Sequence, residues 1–164
     1  MKAFDFFEWA EDIAKKLKCV AHGTGHERFF KASGAELTST MDERLSSLSS
    51  TVLIAVDKDE LVTDRNFADS LIESHDYALV LCSPTVESKQ DSIVTAVHNA
   101  ASVLQQVRNI AVRDLGSRIS KCAMYPSGVI GDNFYGMVLE FTVTSMPNFS
   151  VNADYFLPDE PQIP

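Results

Sequence analysis

The most constraining feature of this sequence is a long alternating segment near its C-terminal end, directly after a short turn. Gly131-Asp132-Asn133 supplies the small and polar residues that a turn requires. The residues that follow fall into two sets: Met137, Leu139, Phe141 and Val143 on one face, and Val138, Glu140, Thr142 and Thr144 on the other. A period of two residues is typical of a half-buried antiparallel strand. The segment therefore predicts that the domain closes with a β-hairpin on an antiparallel sheet.

Length and composition indicate one soluble domain. The 164 residues are enough for a core without disulfides or metals, and 45% hydrophobic with 23% charged residues is typical of globular proteins. No apolar run approaches the roughly 18 residues that a membrane helix needs. Asp5, Glu8 and Glu11 interrupt the apolar residues where a signal peptide would be uniformly apolar. We therefore expect a soluble protein made in the cytoplasm, without a membrane partner.

Charge and cysteine content exclude further classes of protein. The net charge is −9, and the one basic cluster, at residues 15–18, lies where cations would offset the dipole at the end of a first helix. Nucleic-acid binding needs clustered Lys and Arg, so we expect no nucleic-acid partner. Cys19, Cys82 and Cys122 are odd in number, far apart and flanked by apolar residues. This pattern predicts reduced core thiols rather than disulfides or a zinc site.

Helices and strands are predicted from hydrophobic spacing. Apolar residues recur every three or four positions over residues 4–18 and 88–115, which predicts an N-terminal amphipathic helix capped by Asp5 and a long helix ended by Gly116. Ser88 and Asp91 resemble a capping box at the start of the long helix. Strands are predicted at residues 28–31, 51–56, 77–82 and 118–125, before the final strand. Two segments read as connections: residues 34–50, with at most a helical turn, and 57–74, with a short helix around 66–72.

These elements predict an α+β fold, in which a mostly antiparallel mixed sheet is packed by an N-terminal helix and one long helix and ends in a β-hairpin. Residues 1–146 form a single domain in this interpretation. Residues 147–164 are a proline-rich acidic extension in which we expect no regular element. The extension contains Tyr155 and Phe156, which suit docking either on a neighbouring molecule or on the same domain.

His22, His26 and Glu27 have the closest spacing for a metal site, because two imidazoles and a carboxylate can bind a divalent ion. They lie in a glycine-rich segment rather than on a rigid helix or strand, and no further ligand group stands out elsewhere. We interpret the segment as a turn with exposed histidines. The sequence therefore predicts no metal ligand and no cofactor.

Two other sets of residues contain catalytic or ligand types without the matching pattern. Residues 57–64 are acidic but lack the glycine and the terminal glutamate of a calcium loop. His75, Asp76 and Ser83 include the residue types of a triad, but no nucleophile elbow is present. His98 has no second histidine at i+4. We therefore expect no catalytic residues and no enzymatic activity.

In the order of its elements, the sequence resembles the tail-terminator and head–tail joining proteins of long-tailed double-stranded DNA phages, including prophages. The resemblance rests on the first amphipathic helix, the long helix and the hairpin over residues 130–143, where a small-residue turn precedes an aromatic-Gly-x-x-x-x-Phe strand. It covers residues 4–144 by order of elements, and the residue-level match is confined to the hairpin. Residues 34–50 and the extension after Ser145 have no counterpart in that family.

The resemblance implies a structural protein that assembles with itself into a ring, expected to be a hexamer. Such a ring would end polymerisation of the tail tube and bind neck and head proteins. The protein would then be found in the cytoplasm of the bacterial host during assembly, and in the virion afterwards. Candidate interface residues are the pair at the hairpin turn and two aromatic residues of the extension: Phe134, Tyr135, Tyr155 and Phe156.

Two other functions are also consistent with the sequence. The first is a small cytoplasmic α+β adaptor or regulatory module that binds a partner protein through a sheet edge or the extension. The second is a metal-dependent enzyme that uses His22, His26 and Glu27. Metal content in protein purified without an affinity tag separates this second possibility from the others.

Overall fold

The computed structural model of this chain describes residues 4–33, 39–65, 69–86 and 89–147, which form one five-stranded mixed sheet with helices on both faces. The elements in chain order are α1 (Phe6–Lys16), β1 (Phe29–Ser33), α2 (Ser39–Ser46), β2 (Val52–Arg65), β3 (Leu71–Pro84), α3 (Gln90–Leu115), a 3₁₀ turn (Gly116–Arg118), β4 (Ile119–Pro126) and β5 (Phe134–Ser145). The strand order is β1-β2-β3-β5-β4. Strand β1 is parallel to β2, and the other neighbours are antiparallel. The predicted α+β class and final hairpin are confirmed.

The two predicted amphipathic helices are present, with small changes at their ends. Asp5 caps α1, since its side chain accepts a hydrogen bond of 2.9 Å from the backbone N–H of Glu8. Helix α3 ends at Gly116, whose φ of 56° lies in the region that glycine tolerates. The helix begins at Gln90 after Lys89, which makes no side-chain capping bond, and the predicted cap Ser88 lies outside the described residues.

Strands β2 and β3 are 14 residues each, far longer than predicted, and together they form a long hairpin within the sheet. Their pairing continues past a bulge after Asp57 as far as Arg65 opposite Leu71. The prediction of a helix around residues 66–72 is wrong for Leu71 and Ile72, which lie in β3; residues 66–68 are outside the described part. We call residues 57–65 and 69–76 the arm. The arm is rich in charged and polar residues, so its composition is typical of a loop, but its backbone is paired in the sheet.

Both faces of the sheet are packed. The first face lies under α1 and α3, and its buried residues include Phe6, Ile13, Leu79, Leu104, Val107, Leu139 and Phe141. The second face carries Val52, Ile54, Val56, Ala78, Val80, Cys82, Phe134 and Val138, with Met41 and Leu45 of α2 and Ile130 in the same buried cluster. Helix α2 was predicted as loop with at most one turn. It has eight residues, and its buried pair at i and i+4 is too short a pattern to detect in a Ser- and charge-rich segment.

Aromatic rings join α1 to the centre of the sheet. The rings of Phe6 and Tyr77 stack with centroids 4.3 Å apart, and Phe141 lies edge-on to Phe6 at 6.0 Å. Aromatic pairs of this geometry contribute about 0.5–1.5 kcal/mol each beyond their buried area. The first helix is therefore fixed to β3 and β5 rather than only to its sequence neighbour β1.

Gly136 lies at a close approach of β5 to β3. A Cβ atom added at this position would lie 1.8 Å from the carbonyl oxygen of Leu81 and 2.7 Å from the Cα of Cys82. Both are backbone atoms of a central strand, so they cannot move aside without disturbing the ladder. This position therefore requires glycine.

We predict that Gly136→Ala lowers the free energy of unfolding by about 3 kcal/mol or more, because overpacking against backbone forces the central strands apart. Gly23→Ala is the matched control, since no atom of the described residues lies within 4 Å of an added Cβ at that position. The control is expected to change stability by less than about 1 kcal/mol. Urea unfolding of both variants measures the difference, and equal stabilities would contradict the prediction.

Candidate functional site

The His22 to Glu27 segment is a backbone-closed turn. Gly23 and His26 exchange backbone hydrogen bonds of 3.2 and 2.9 Å, and the Nδ1 atom of His22 accepts a bond from the backbone N–H of Arg28. His26 and Glu27 are exposed. This arrangement uses His22 to hold the entry into β1. Within the described ranges, no group of three or more His, Cys, Asp or Glu residues is placed to hold a metal ion.

The triad-type residues of β3 are not brought together. His75 stacks on Tyr77 on the first face, and Asp76 accepts a hydrogen bond from the hydroxyl of Thr142 on the second. Ser83 lies at the other end of the strand, where its Oγ is 2.8 Å from the Oγ1 of Thr51. His75, Asp76 and Ser83 therefore lie on different faces and at different ends of β3 and do not form a proton relay.

The cysteines differ in environment. Cys82 is fully buried, and burial raises the pKa of its thiol to about 12. Cys19 and Cys122 are exposed, which corrects the expectation that all three are core thiols. Cys122 lies on edge strand β4, where an apolar neighbour in sequence does not ensure burial. No disulfide joins the three.

The candidate interface residues differ in their exposure to solvent. Phe134 is only 1% exposed and belongs to the second-face core, so the expectation that its side chain faces a neighbouring molecule is corrected. Its position after a turn suggested exposure, but Ile130 pairs with it and α2 lies beside it. Tyr135 is partly exposed opposite Ser83 and stays a candidate. Tyr155 and Phe156 lie outside the described residues.

A groove of about 470 Å³ lies on the second face of the sheet, and we call it the second-face groove. Val56, Ala78, Val80 and Val138 form its floor, and Lys58, Glu60, Tyr125 and Ser127 line its sides. The volume is within the range of sites that hold ligands or peptide side chains. An apolar floor with polar sides suits an amphipathic occupant.

Glu140 fixes two sides of this groove. Its Oε2 atom accepts hydrogen bonds of 2.8 Å from the Nζ of Lys58 on β2 and from the hydroxyl of Tyr125 on β4. The hydrogen bond from Lys58 is the main reason that the pKa of Glu140 lies below its usual value. The pKa of Tyr125 is raised. Burial of its hydroxyl is the larger cause, and the hydrogen bond to the negatively charged Glu140 adds to it. The network ties three strands together across the sheet.

The outward side of α3 forms a second distinctive surface. From Ser92 to Val107 the helix contains no Asp, Glu, Lys or Arg. We call its exposed residues the neutral face of α3: Val94, Thr95, His98, Asn99, Ser102, Gln105 and Gln106. A solvated helix surface is normally rich in charge. The absence of charge over four turns is therefore a signal that the sequence alone could have shown. The second-face groove could not be found in the same way, because its floor combines residues of β2, β3 and β5.

Comparison with known proteins does not assign the chain. It matches no protein-family model, and no curated protein is significantly similar to it. The phage resemblance therefore stays a prediction. Among the residues that the structure describes, no helix is long and apolar enough to cross a membrane.

We predict that Glu140→Gln lowers the free energy of unfolding at pH 7 by about 1 kcal/mol, a value reduced for partial exposure. Because the folded-state pKa is lowered, the stabilisation is present above the unfolded value of 4.5 and is lost as the pH falls below it. The wild type should therefore lose more stability than the variant between pH 7 and pH 3.

Glu11→Gln is the control for that measurement. Glu11 also pairs with a lysine, Lys15, at 2.9 Å, but the pair lies on the surface of one helix with the lysine side chain 49% exposed. We expect a clearly smaller effect from it, because water and salt screen exposed pairs. Urea unfolding at several pH values checks both variants, and an unchanged pH dependence in Glu140→Gln would contradict the prediction.

Proposed function

We propose that this chain is a structural assembly protein of a long-tailed phage or prophage that forms a ring, ends tail-tube polymerisation and joins the tail to the head. The observation that carries self-assembly is the neutral face of α3, and the family resemblance of helices and hairpin supplies the biological role. No catalytic residues are part of this proposal.

The charge distribution supports contact between copies through α3. A protein with a net charge of −9 is repelled by its own copies, which opposes self-association. Interface cores are depleted of charged residues. The neutral face of α3 presents Asn, Gln, Ser and Thr side chains that hydrogen-bond across an interface without burying a charge. It is therefore the surface on which two acidic copies can meet at least cost.

A ring requires contacts between unlike surfaces of neighbouring copies. An α3 face docked on a different part of the next copy gives a heterologous contact, and such contacts close into rings when the rotation fits. Tyr135 is partly exposed and can also contact a neighbouring copy in such a ring.

An adaptor that binds a different protein through the neutral face of α3 is the second candidate. The same lack of charge favours it, because hetero-complexes also exclude unpaired charges from their interface cores. The two functions differ in whether the protein binds itself.

Light scattering coupled to size exclusion, with negative-stain images of the largest species, tests the ring directly. We expect closed particles with a central hole, formed by the chain alone or after tail-tube protein is added. A strict monomer at all concentrations, with and without tube protein, would instead favour the adaptor.

We predict that both Ser102→Glu and Ser102→Lys weaken assembly by about tenfold or more, because either charge must lose its hydration in the interface. Ser102 is exposed, and its hydroxyl donates a hydrogen bond to the carbonyl of His98 in the same helix, so folding should be unaffected. The pair separates burial from net charge, since one substitution makes the protein more acidic and the other less. Opposite effects on assembly would show general repulsion and contradict an interface at Ser102. Ser102→Asn is the neutral control.

A further inference from the structure

Among the described residues, helix α2 packs on the second sheet face through Met41 and Leu45. Leu45 of this helix lines a separate cavity of about 260 Å³ with Thr85 and Phe134. The second-face groove lies further along the strands, over Ala78 and Val138. The residues that form the floor of the groove are apolar and less than 9% exposed. Helix α2, which packs on the same face of the sheet, lies at the end near Thr85 and Phe134.

The C-terminal extension contains a segment with one apolar side. Between residues 149 and 155, apolar and polar residues alternate strictly: Phe149, Val151, Ala153 and Tyr155 against Ser150, Asn152 and Asp154. A period of two predicts an extended chain with one apolar side, which needs an apolar surface to lie on. Phe156 and Leu157 continue the segment before Pro158 ends it.

The lengths of chain match the distance to the groove. Strand β5 ends at Ser145, and Val138 lies nine residues before Pro147. Phe156 lies nine residues after Pro147. At roughly 3.3 Å per residue, both stretches span about 30 Å. A chain that reverses direction at Pro147 therefore brings Tyr155 to Leu157 over Val138.

We propose that residues 149–157 lie as an extended strap over the second face of their own domain, with Tyr155 and Leu157 in the second-face groove. Val56, Ala78, Val80 and Val138 contact its apolar side, while Ser150, Asn152 and Asp154 face water. Lys58 and Tyr125, fixed by Glu140, border the strap on both sides. This proposal does not depend on ring formation, and it makes Tyr155 part of the domain rather than of an interface.

The test measures access to the groove floor in the full chain. Ala78→Cys provides a reporter thiol in a Cys19→Ser, Cys122→Ser background, and Val138→Cys provides a second one. Buried Cys82 remains as an internal control beyond the groove on the same strand. Alkylation by iodoacetamide is followed by mass spectrometry. We expect the combined change Tyr155→Ser, Phe156→Ser and Leu157→Ser to raise the alkylation rate of either reporter by about tenfold or more, because the strap no longer shields it.

The matched control changes the other side of the same segment. Ser150→Ala, Asn152→Ala and Asp154→Ala together should leave the alkylation rate unchanged. Circular dichroism and an unchanged Cys82 rate establish that each variant is folded. Equal rates in the apolar and polar variants would overturn the proposal. Protection that disappears on dilution would also overturn it, because it would show that the strap comes from a neighbouring copy.

Discussion

The pairing of β3 with β5 is the interaction on which the rest of the structure depends. The two strands are matched from Pro84 opposite Phe134 to Glu73 opposite Ser145. Their side chains alternate between the two cores, so that Leu79 contributes to the first core and Val80 to the second. Helices α1 and α3 pack on one side of this pair and α2 on the other. The close approach at Gly136 is therefore a condition for both cores at once.

Local patterns predicted the elements whose own residues determine them. The alternation through Leu139 and Phe141 indicated β5, and the spacing of Leu104, Val107 and Ala111 indicated α3. Asp5 and Gly116 correctly marked two helix ends. In each case, the signal is a periodicity or a cap within a few residues, which the chain carries before any tertiary contact forms.

Features that depend on distant residues could not be predicted in the same way. Lys58, Asp59 and Glu60 look like a loop, and they extend the sheet only because β3 pairs with β2 beyond them. Phe134 follows a turn, and its burial comes from Ile130 and from a helix about 90 residues earlier in the chain. The second-face groove has the same origin, because its floor is assembled from β2, β3 and β5. The sequence therefore predicted the helices and strands better than the surfaces that they form together.

The arm has a consequence for how the protein avoids aggregation. In the described part of the chain, no strand pairs with the outer side of residues 61–65, although Leu61 and Val62 are about half exposed. An open strand edge of this kind is a template for uncontrolled strand addition. The arm carries seven carboxylates and two cations, more than half of the net charge of the chain, and the bulge at Asp59 interrupts its regularity. A second arm is therefore repelled before its backbone can pair.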